Sequence, residues 1–322
     1  MQSNERRAVL ATDYKRVRLS ALISRIKNYF IGYEEVVNLL LISLLSEGHL
    51  LIEGPIGTGK TLLAKVFATG IGGTFRRIQM TPDLLPSDII GTVYYNLREG
   101  KWEVKLGPIF GNVVLIDELN RATPRTQSAL IEAMQERQVT IGGNVYPLPR
   151  PFLVIATRVA AESSGVFDLP TGEIDRFSYS AVITGYNPEV ELEVLRRLDS
   201  IEAFDTKAVL RPEDVQSMIQ EVSGVYIHER VRKYIISILE AIRKLDEVRT
   251  APSTRAAVWL AKGARALAYL SRRPYVLPDD VKALAIPTLR HRIALKPEYE
   301  LDGLAPEQLI KRVLDEVEVP KT

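Results

Sequence analysis

Residues 54–61 read Gly-Pro-Ile-Gly-Thr-Gly-Lys-Thr, directly after the apolar run His49-Leu50-Leu51-Ile52-Glu53. The spacing G-x-x-x-x-G-K-T suits the cradling of phosphates. Glycines let successive backbone N–H groups turn inward as an anion nest, and a following helix aims its positive end at the same point. Lys60 is then placed to neutralise β- and γ-phosphates, and the Thr61 hydroxyl to ligate magnesium. The expected nucleotide-binding set of the loop is Gly54, Pro55, Ile56, Gly57, Thr58, Gly59, Lys60, Thr61 and Leu62. A chance glycine turn is the competing reading, and the strand-like run before and helical period after argue against it.

Three further stretches offer matching chemistry. Val113-Val114-Leu115-Ile116-Asp117-Glu118 is a buried strand pattern that ends in two acids. A carboxylate ending four apolar residues must lie at the solvent-facing rim of a sheet. There Asp117 is expected to hold magnesium, and Glu118 to orient and deprotonate an attacking water. Arg176, within Glu-Ile-Asp-Arg-Phe, is of the type that stabilises charge spread over transferring γ-oxygens; a surface arginine paired with Glu173 or Asp175 is the alternative. Arg255 falls in the first turn of a predicted helix, where a cation is disfavoured unless an anion lies near. A nearby phosphate resolves that conflict, and a snorkelling surface side chain is the other reading.

These residues need a sheet to hold them. Runs at 49–53, 75–80, 113–117 and 152–157 read as buried strands, with 179–183 as a fifth, and helical patterns separate them. Near-continuous apolar strands alternating with helices indicate an α/β fold with a parallel sheet covered on both faces. An amphipathic leader helix is expected over 13–30 and others over 34–46 and 60–70. Another starts at Thr123-Pro124, with threonine as N-cap, and runs to about Arg137. After Pro188 strand signals vanish, and 189–200, 212–222, 228–248, 254–271 and 279–286 all have helical period. The expected division is a leader over 1–30, an α/β core over 31–200 and a helical lid over 201–322.

Composition narrows the partners. The 322 residues are 46% hydrophobic and 25% charged, as in soluble globular chains, and the net charge of +2 demands no nucleic-acid or membrane partner. With no cysteine, disulfides and thiolate metal sites are excluded. The three histidines, His49, His228 and His291, lack metal-ligand spacing and are expected to be structural. The start of the chain lacks a signal-peptide core, and apolar runs such as 36–45 are too short to span a bilayer. A cytoplasmic protein is expected.

The pattern resembles the AAA+ ATPases and, within them, the MoxR family of the helix-2-insert clade. The matching segments are 54–61, 77–92, 107–143 and 253–293. The resemblance implies an αβα core with strand order 5-1-4-3-2, a helical lid, and a homo-oligomeric ring, usually hexameric, that uses ATP and Mg2+. It places Ile31 and Gly32 near the adenine, Arg176 as an arginine finger reaching a neighbour's γ-phosphate, and Arg255 as the sensor-2 arginine. It also implies two hairpins, at 93–105 and 138–148, that approach the pore or client. Tyr94, Tyr95 and Trp102 on the first are suited to gripping a polypeptide or to packing on their own domain. Where the family has Ala-Thr-Gln-Asn-Pro, this chain has Ala156-Thr157-Arg158-Val159-Ala160, so Val159 stands at the sensor-1 Asn position and Thr157 or Arg158 is the candidate substitute. The tyrosine at 33 likewise replaces a common glutamine.

The function implied is a Mg-dependent ATPase that remodels, chaperones or matures protein clients, beside a separate protein with a von Willebrand factor A domain. The alternatives are a nucleic-acid motor of the same superfamily and a nucleotide-gated scaffold of very low turnover. Mixed charge on the first hairpin argues against a nucleic-acid track.

Overall fold

The computed structural model describes residues 2–55, 57–159, 166–167, 169, 171–185, 187–205 and 207–321; the side chains of residues 2–13 and 16 lie outside the description. In chain order the strands are β1 (Leu50–Glu53), β2 (Phe75–Gln79), β3 (Gly91–Asn96), β4 (Lys101–Leu106), β5 (Val113–Asp117), β6 (Gln138–Ile141), β7 (Asn144–Pro147), β8 (Leu153–Arg158), β9 (Tyr179–Val182), β10 (Val248–Thr250) and β11 (Ala294–Leu295). Five of them form one sheet in the order β2-β5-β8-β1-β9. Numbered along the chain, that order is the expected 5-1-4-3-2. β2 runs parallel to β5 and β5 to β8, with Gln79 opposite Asp117 and Ile116 opposite Ala156. Residues 113–116 and 153–156 are wholly buried, which is why both segments are unbroken apolar runs. β2 (Phe-Arg-Arg-Ile-Gln) buries only Ile78 among its five residues, as its edge position allows. Parallel strands bring their carboxyl ends to one rim, where open α/β sheets bind ligands.

The helices are α1 (Gln2–Tyr29), α2 (Glu34–Leu45), α3 (Lys60–Gly70), α4 (Pro86–Ile90), α5 (Pro124–Glu136), α6 (Thr171–Ile174), α7 (Pro188–Arg196), α8 (Leu198–Glu202), α9 (Pro212–Ser223), α10 (Glu229–Arg243), α11 (Thr254–Leu270), α12 (Pro278–Leu289), α13 (Pro297–Leu301) and α14 (Pro306–Glu316). The chain divides into two compact units, one of residues 1–38, 52–168 and 182–218, the other of residues 39–51, 169–181 and 219–322. In the first, α1 buries Leu19, Leu22 and Ile26, and Leu22 lies so close to Gly70 of α3 that a Cβ there would meet it at 2.3 Å. In the second, Leu239 of α10, Leu260 of α11, Leu284 of α12 and Ile310 of α14 form a helical core. No described helix is long and apolar enough to cross a membrane.

Several local expectations are corrected. The helical period at 228–248 ends at Arg243; Val248–Thr250 instead pairs antiparallel with Ala294–Leu295, a ladder too short to show in sequence. The single segment expected at 189–200 is two helices broken at Arg197. α12 continues through Pro287 to Leu289 although proline forfeits one backbone bond. Thr123 occupies the N-cap of α5, but its hydroxyl lies 3.2 Å from the Thr126 hydroxyl rather than on a backbone N–H.

Two antiparallel hairpins stand apart from the main sheet, β3–β4 and β6–β7. Tyr95 faces Trp102 across the first ladder, with ring centroids 5.3 Å apart and edge-on. On the other face the Tyr94 hydroxyl donates to Glu103 at 2.7 Å. Trp102 is 70% exposed, so these rings pack on each other and not into a core. At the β6–β7 turn Gly142 has φ +58°, and a Cβ there would strike Val93 of the first hairpin at 2.5 Å. Only glycine satisfies both conditions at that turn.

Candidate functional site

The loop between β1 and α3 is built around its backbone. Gly57 (φ +86°) and Gly59 (φ +77°) adopt left-handed conformations, and nothing lies within 4 Å of where a Cβ on Gly57 would stand. Gly59 is the N-cap of α3 and supplies no side-chain cap, so the first N–H groups of the helix are left for another acceptor. The Lys60 ammonium reaches back over the loop and donates to the Pro55 carbonyl at 2.6 Å, the Thr58 hydroxyl at 3.0 Å and the Gly54 carbonyl at 3.3 Å. Burial pushes the Lys60 pKa below its ordinary value, while Asp117 and Glu118 pull it back upward. Thr61 and Leu62 are half-buried in the first turn of α3. Ile56 lies outside the described residues.

The segment before α2 flanks this loop. The Phe30 ring stands 3.4 Å from where a Cβ on Gly59 would lie. Gly32 has φ +77°, and a Cβ there would meet Val190 of α7 at 3.1 Å. Ile31 is half-buried beside it, and the Tyr33 hydroxyl donates to the Gly185 carbonyl at 2.8 Å. Phe30 thus lies beside the glycine loop, Gly32 packs against Val190, and Tyr33 is committed to backbone.

At the rim of the sheet the two acids are tightly held. The Thr157 hydroxyl donates to Asp117 Oδ1 at 2.7 Å and accepts the Glu118 N–H at 2.8 Å. Thr157 is only 2% exposed, and its one hydroxyl links the Asp117 carboxylate to the backbone of Glu118. Arg77 donates to Asp117 Oδ2 from Nη2 at 2.7 Å and to Gln79 Oε1 at 2.7 Å. Gln79 in turn donates to Glu118 Oε2 at 3.1 Å, and Arg121 Nε pairs with the same oxygen at 2.8 Å. Glu118 has φ +56°, a left-handed conformation that costs a non-glycine residue about 1–3 kcal/mol and is concentrated at functional sites. A threonine hydroxyl and a carboxylate, Thr61 and Asp117, are the hard oxygen donors that magnesium takes, so their chemistry fits that ion.

The stretch after Ala156 resolves differently for its two candidates. Thr157 serves the acids, whereas Arg158 pairs with Glu53 at the end of β1 at 2.8 Å. Val159 is held through its backbone, its N–H donating to Asn120 Oδ1 and its carbonyl accepting from Asn120 Nδ2, each at 3.0 Å.

The second unit holds the two remaining candidates. Arg176 is half-buried, and its Nε and Nη1 find no partner among the described residues. The Asp175 carboxylate, considered in sequence as a partner for Arg176, pairs instead with Arg255 at 2.7 Å and Arg292 at 2.7 Å. Asp175 thus supplies a local counter-charge for Arg255 that the sequence had not revealed. The helix start is itself capped by Ser253, whose hydroxyl accepts the Arg255 N–H at 3.2 Å. His228 is structural, its Nδ1 accepting the Arg230 N–H at 3.1 Å as the N-cap of α10. His291 joins the neighbourhood of Arg292, with Nδ1 2.9 Å from the Ser180 hydroxyl.

Sequence reasoning missed Gln79, Arg77 and Arg292, and named Asp175 only as a partner for Arg176. A signal existed for the first two, because strand order 5-1-4-3-2 puts the end of β2 beside Asp117. None existed for Arg292, whose carboxylate partner Asp175 lies 117 positions away.

Residues 49–179 match the ATPase family associated with various cellular activities (AAA), and residues 241–313 match the AAA lid domain. The chain is 38% identical over 303 residues to YeaC of Bacillus subtilis, covering 94% of this chain and 95% of that one. It is 38% identical over 312 residues to Chaperone MoxR1 of Mycobacterium tuberculosis, covering 94% and 82% respectively. A crystal structure from Cytophaga hutchinsonii shares 39% identity and a TM-score of 0.91, covering 99% of each chain.

Proposed function

The chain belongs to the MoxR family of AAA+ ATPases, and from that premise we propose that it hydrolyses ATP in a homo-oligomeric ring, expected to be hexameric, to remodel or mature protein clients. The observation that supports shared catalysis is Arg176, a half-buried arginine with two N–H groups unpartnered among the described residues. Both atoms are buried, so meeting an anion on a neighbouring copy requires the side chain to turn outward on assembly.

In this reading residues 54–62, Lys60 foremost among them, bind the phosphates, with Ile31 and Gly32 beside the base. Thr61 and Asp117 would hold Mg2+, which supplies charge neutralisation at the phosphate oxygens when bound. Glu118 orients the attacking water and takes its proton. Arg176 stabilises the developing charge in a neighbouring copy, and Arg255 serves its own subunit's nucleotide. The exposed hairpin bearing Trp102 meets the client, a separate von Willebrand factor A protein assists in selecting it, and the location is cytoplasmic.

One assay tests the proposal. ATP turnover per chain is expected to rise with protein concentration as copies assemble, and to be stimulated further by an unfolded polypeptide. A rate per chain that stays flat from nanomolar to micromolar protein removes the ring. Stimulation by DNA in place of polypeptide moves the assignment to a nucleic-acid motor.

We assign the sensor-1 task to Thr157, because its hydroxyl already joins both acids while Arg158 is committed to Glu53. Thr157→Val keeps the shape and removes that hydroxyl. Loss of the bond is expected to slow single-turnover hydrolysis by about tenfold and to cost about 1–3 kcal/mol of stability, the latter read by denaturant unfolding. Parental single-turnover kinetics in this variant would return the task to another residue.

A further inference from the structure

We propose that Asp175 and Arg292 form a clamp whose purpose is to position Arg176; the inference rests on the finger role proposed above. Arg292 is only 3% exposed. Its Nε donates to Asp175 Oδ1 at 2.7 Å, and its Nη2 donates to the carbonyls of Asp175 at 2.9 Å and Phe177 at 2.6 Å. Its Nη1 donates to the Ser178 carbonyl at 3.2 Å and to the carbonyl of Thr288 near the end of α12, and lies 2.7 Å from His291 Nε2. One guanidinium therefore grips the backbone on both sides of residue 176.

A buried cation needs a reason. Removing a guanidinium and a carboxylate from water costs several kcal/mol per ion, and apolar residues of similar size often stabilise such a position better. The Arg292 guanidinium takes the carbonyls of residues 175, 177 and 178 together. What a single planar fork adds is a fixed relation among them. The side chain that this relation places is the one whose own Nε and Nη1 remain unpaired among the described residues. Those two atoms are buried, and a fixed backbone gives the head group one pivot from which to turn outward to a phosphate on another molecule.

The Asp175 carboxylate divides its two oxygens. Oδ1 takes Arg292, while Oδ2 takes Arg255 at 2.7 Å and the Ser253 hydroxyl at 3.0 Å. Asp175 is thus a positioning residue in contact with Arg255 and adjacent in sequence to Arg176, and the test must separate effects through the two.

Full-length chains are assayed for ATP turnover alone and in equimolar pairs. Asp175→Asn keeps the size and removes the charge. Misplacement of a catalytic group is expected to lower kcat by about 10²-fold. A defect in presenting Arg176 is cured by a partner with a sound finger and a dead pocket, so Asp175→Asn mixed with Glu118→Gln regains turnover. The same variant mixed with Arg176→Ala stays slow, because both lack a working finger. Revival with Arg176→Ala instead shows that Asp175 acts through Arg255 in its own subunit and overturns the clamp, as does parental kcat in Asp175→Asn alone. Arg292→Lys, which keeps the charge and loses the fork, is expected to repeat the pattern, so poor folding of one variant does not shelter the proposal. If Arg176→Ala itself fails to be revived by Glu118→Gln, the finger role fails, and the clamp with it. Revival of that control with a folded Asp175→Asn chain left silent against Glu118→Gln overturns the clamp alone.

Discussion

An Arg176→Ala chain binds ATP with parental affinity and turns it over about 10³–10⁵-fold more slowly, the range over which an arginine finger acts. The reasoning is electrostatic. Negative charge spreads over the equatorial oxygens in phosphoryl transfer, and a guanidinium aimed there acts far more strongly in a water-poor cleft than in solution. Arg176 Nε and Nη1 are buried without a partner among the described residues, Asp175 being taken by Arg255 and Arg292, so assembly must turn the guanidinium outward for that task. Binding persists because the loop residues and Lys60 stay intact. Equilibrium titration with a fluorescent nucleotide and phosphate release measure the two halves separately. Full turnover by this variant at dilutions where the parent is monomeric would remove catalysis between copies.

The second large effect belongs to Glu118. Glu118→Gln retains ATP and loses turnover by about 10²–10⁴-fold, the usual contribution of a positioned general base. An amide can still hydrogen-bond near Gln79 and Arg121 but cannot accept a proton from water. The parental carboxylate is held by Gln79 at 3.1 Å and Arg121 at 2.8 Å, with its N–H on Thr157, so its direction is set before any ligand arrives. The check is filter retention of radiolabelled ATP beside steady-state phosphate release. Turnover close to parental would mean that another group activates the water.

Much of this fold can be read from the chain because the relevant signals are local. Residues 113–116 of β5 and 153–156 of β8 are uninterrupted apolar runs, and the glycine loop carries its chemistry within eight residues. Helix α3 spans Lys60–Gly70 as its period predicts. What escaped reading depends on distant partners. The β10–β11 ladder joins residues almost fifty positions apart and is too short for alternation to register. Asp175 looked like a partner for its neighbour Arg176, yet its ion pairs reach across 80 and 117 positions. Thr157 and Arg158 are adjacent and equally plausible in sequence; only their opposite commitments, to the acids and to Glu53, separate them.

The chain contains two tryptophans, and their settings differ sharply. Trp102 projects from the β3–β4 hairpin beside Tyr95, whereas Trp259 lies within 6.4 Å of Tyr179 with the Lys262 ammonium above its ring at 5.0 Å. Replacing Trp259 by phenylalanine leaves a single indole at the hairpin, so its emission colour and its quenching by acrylamide become a built-in optical gauge of whatever touches that surface.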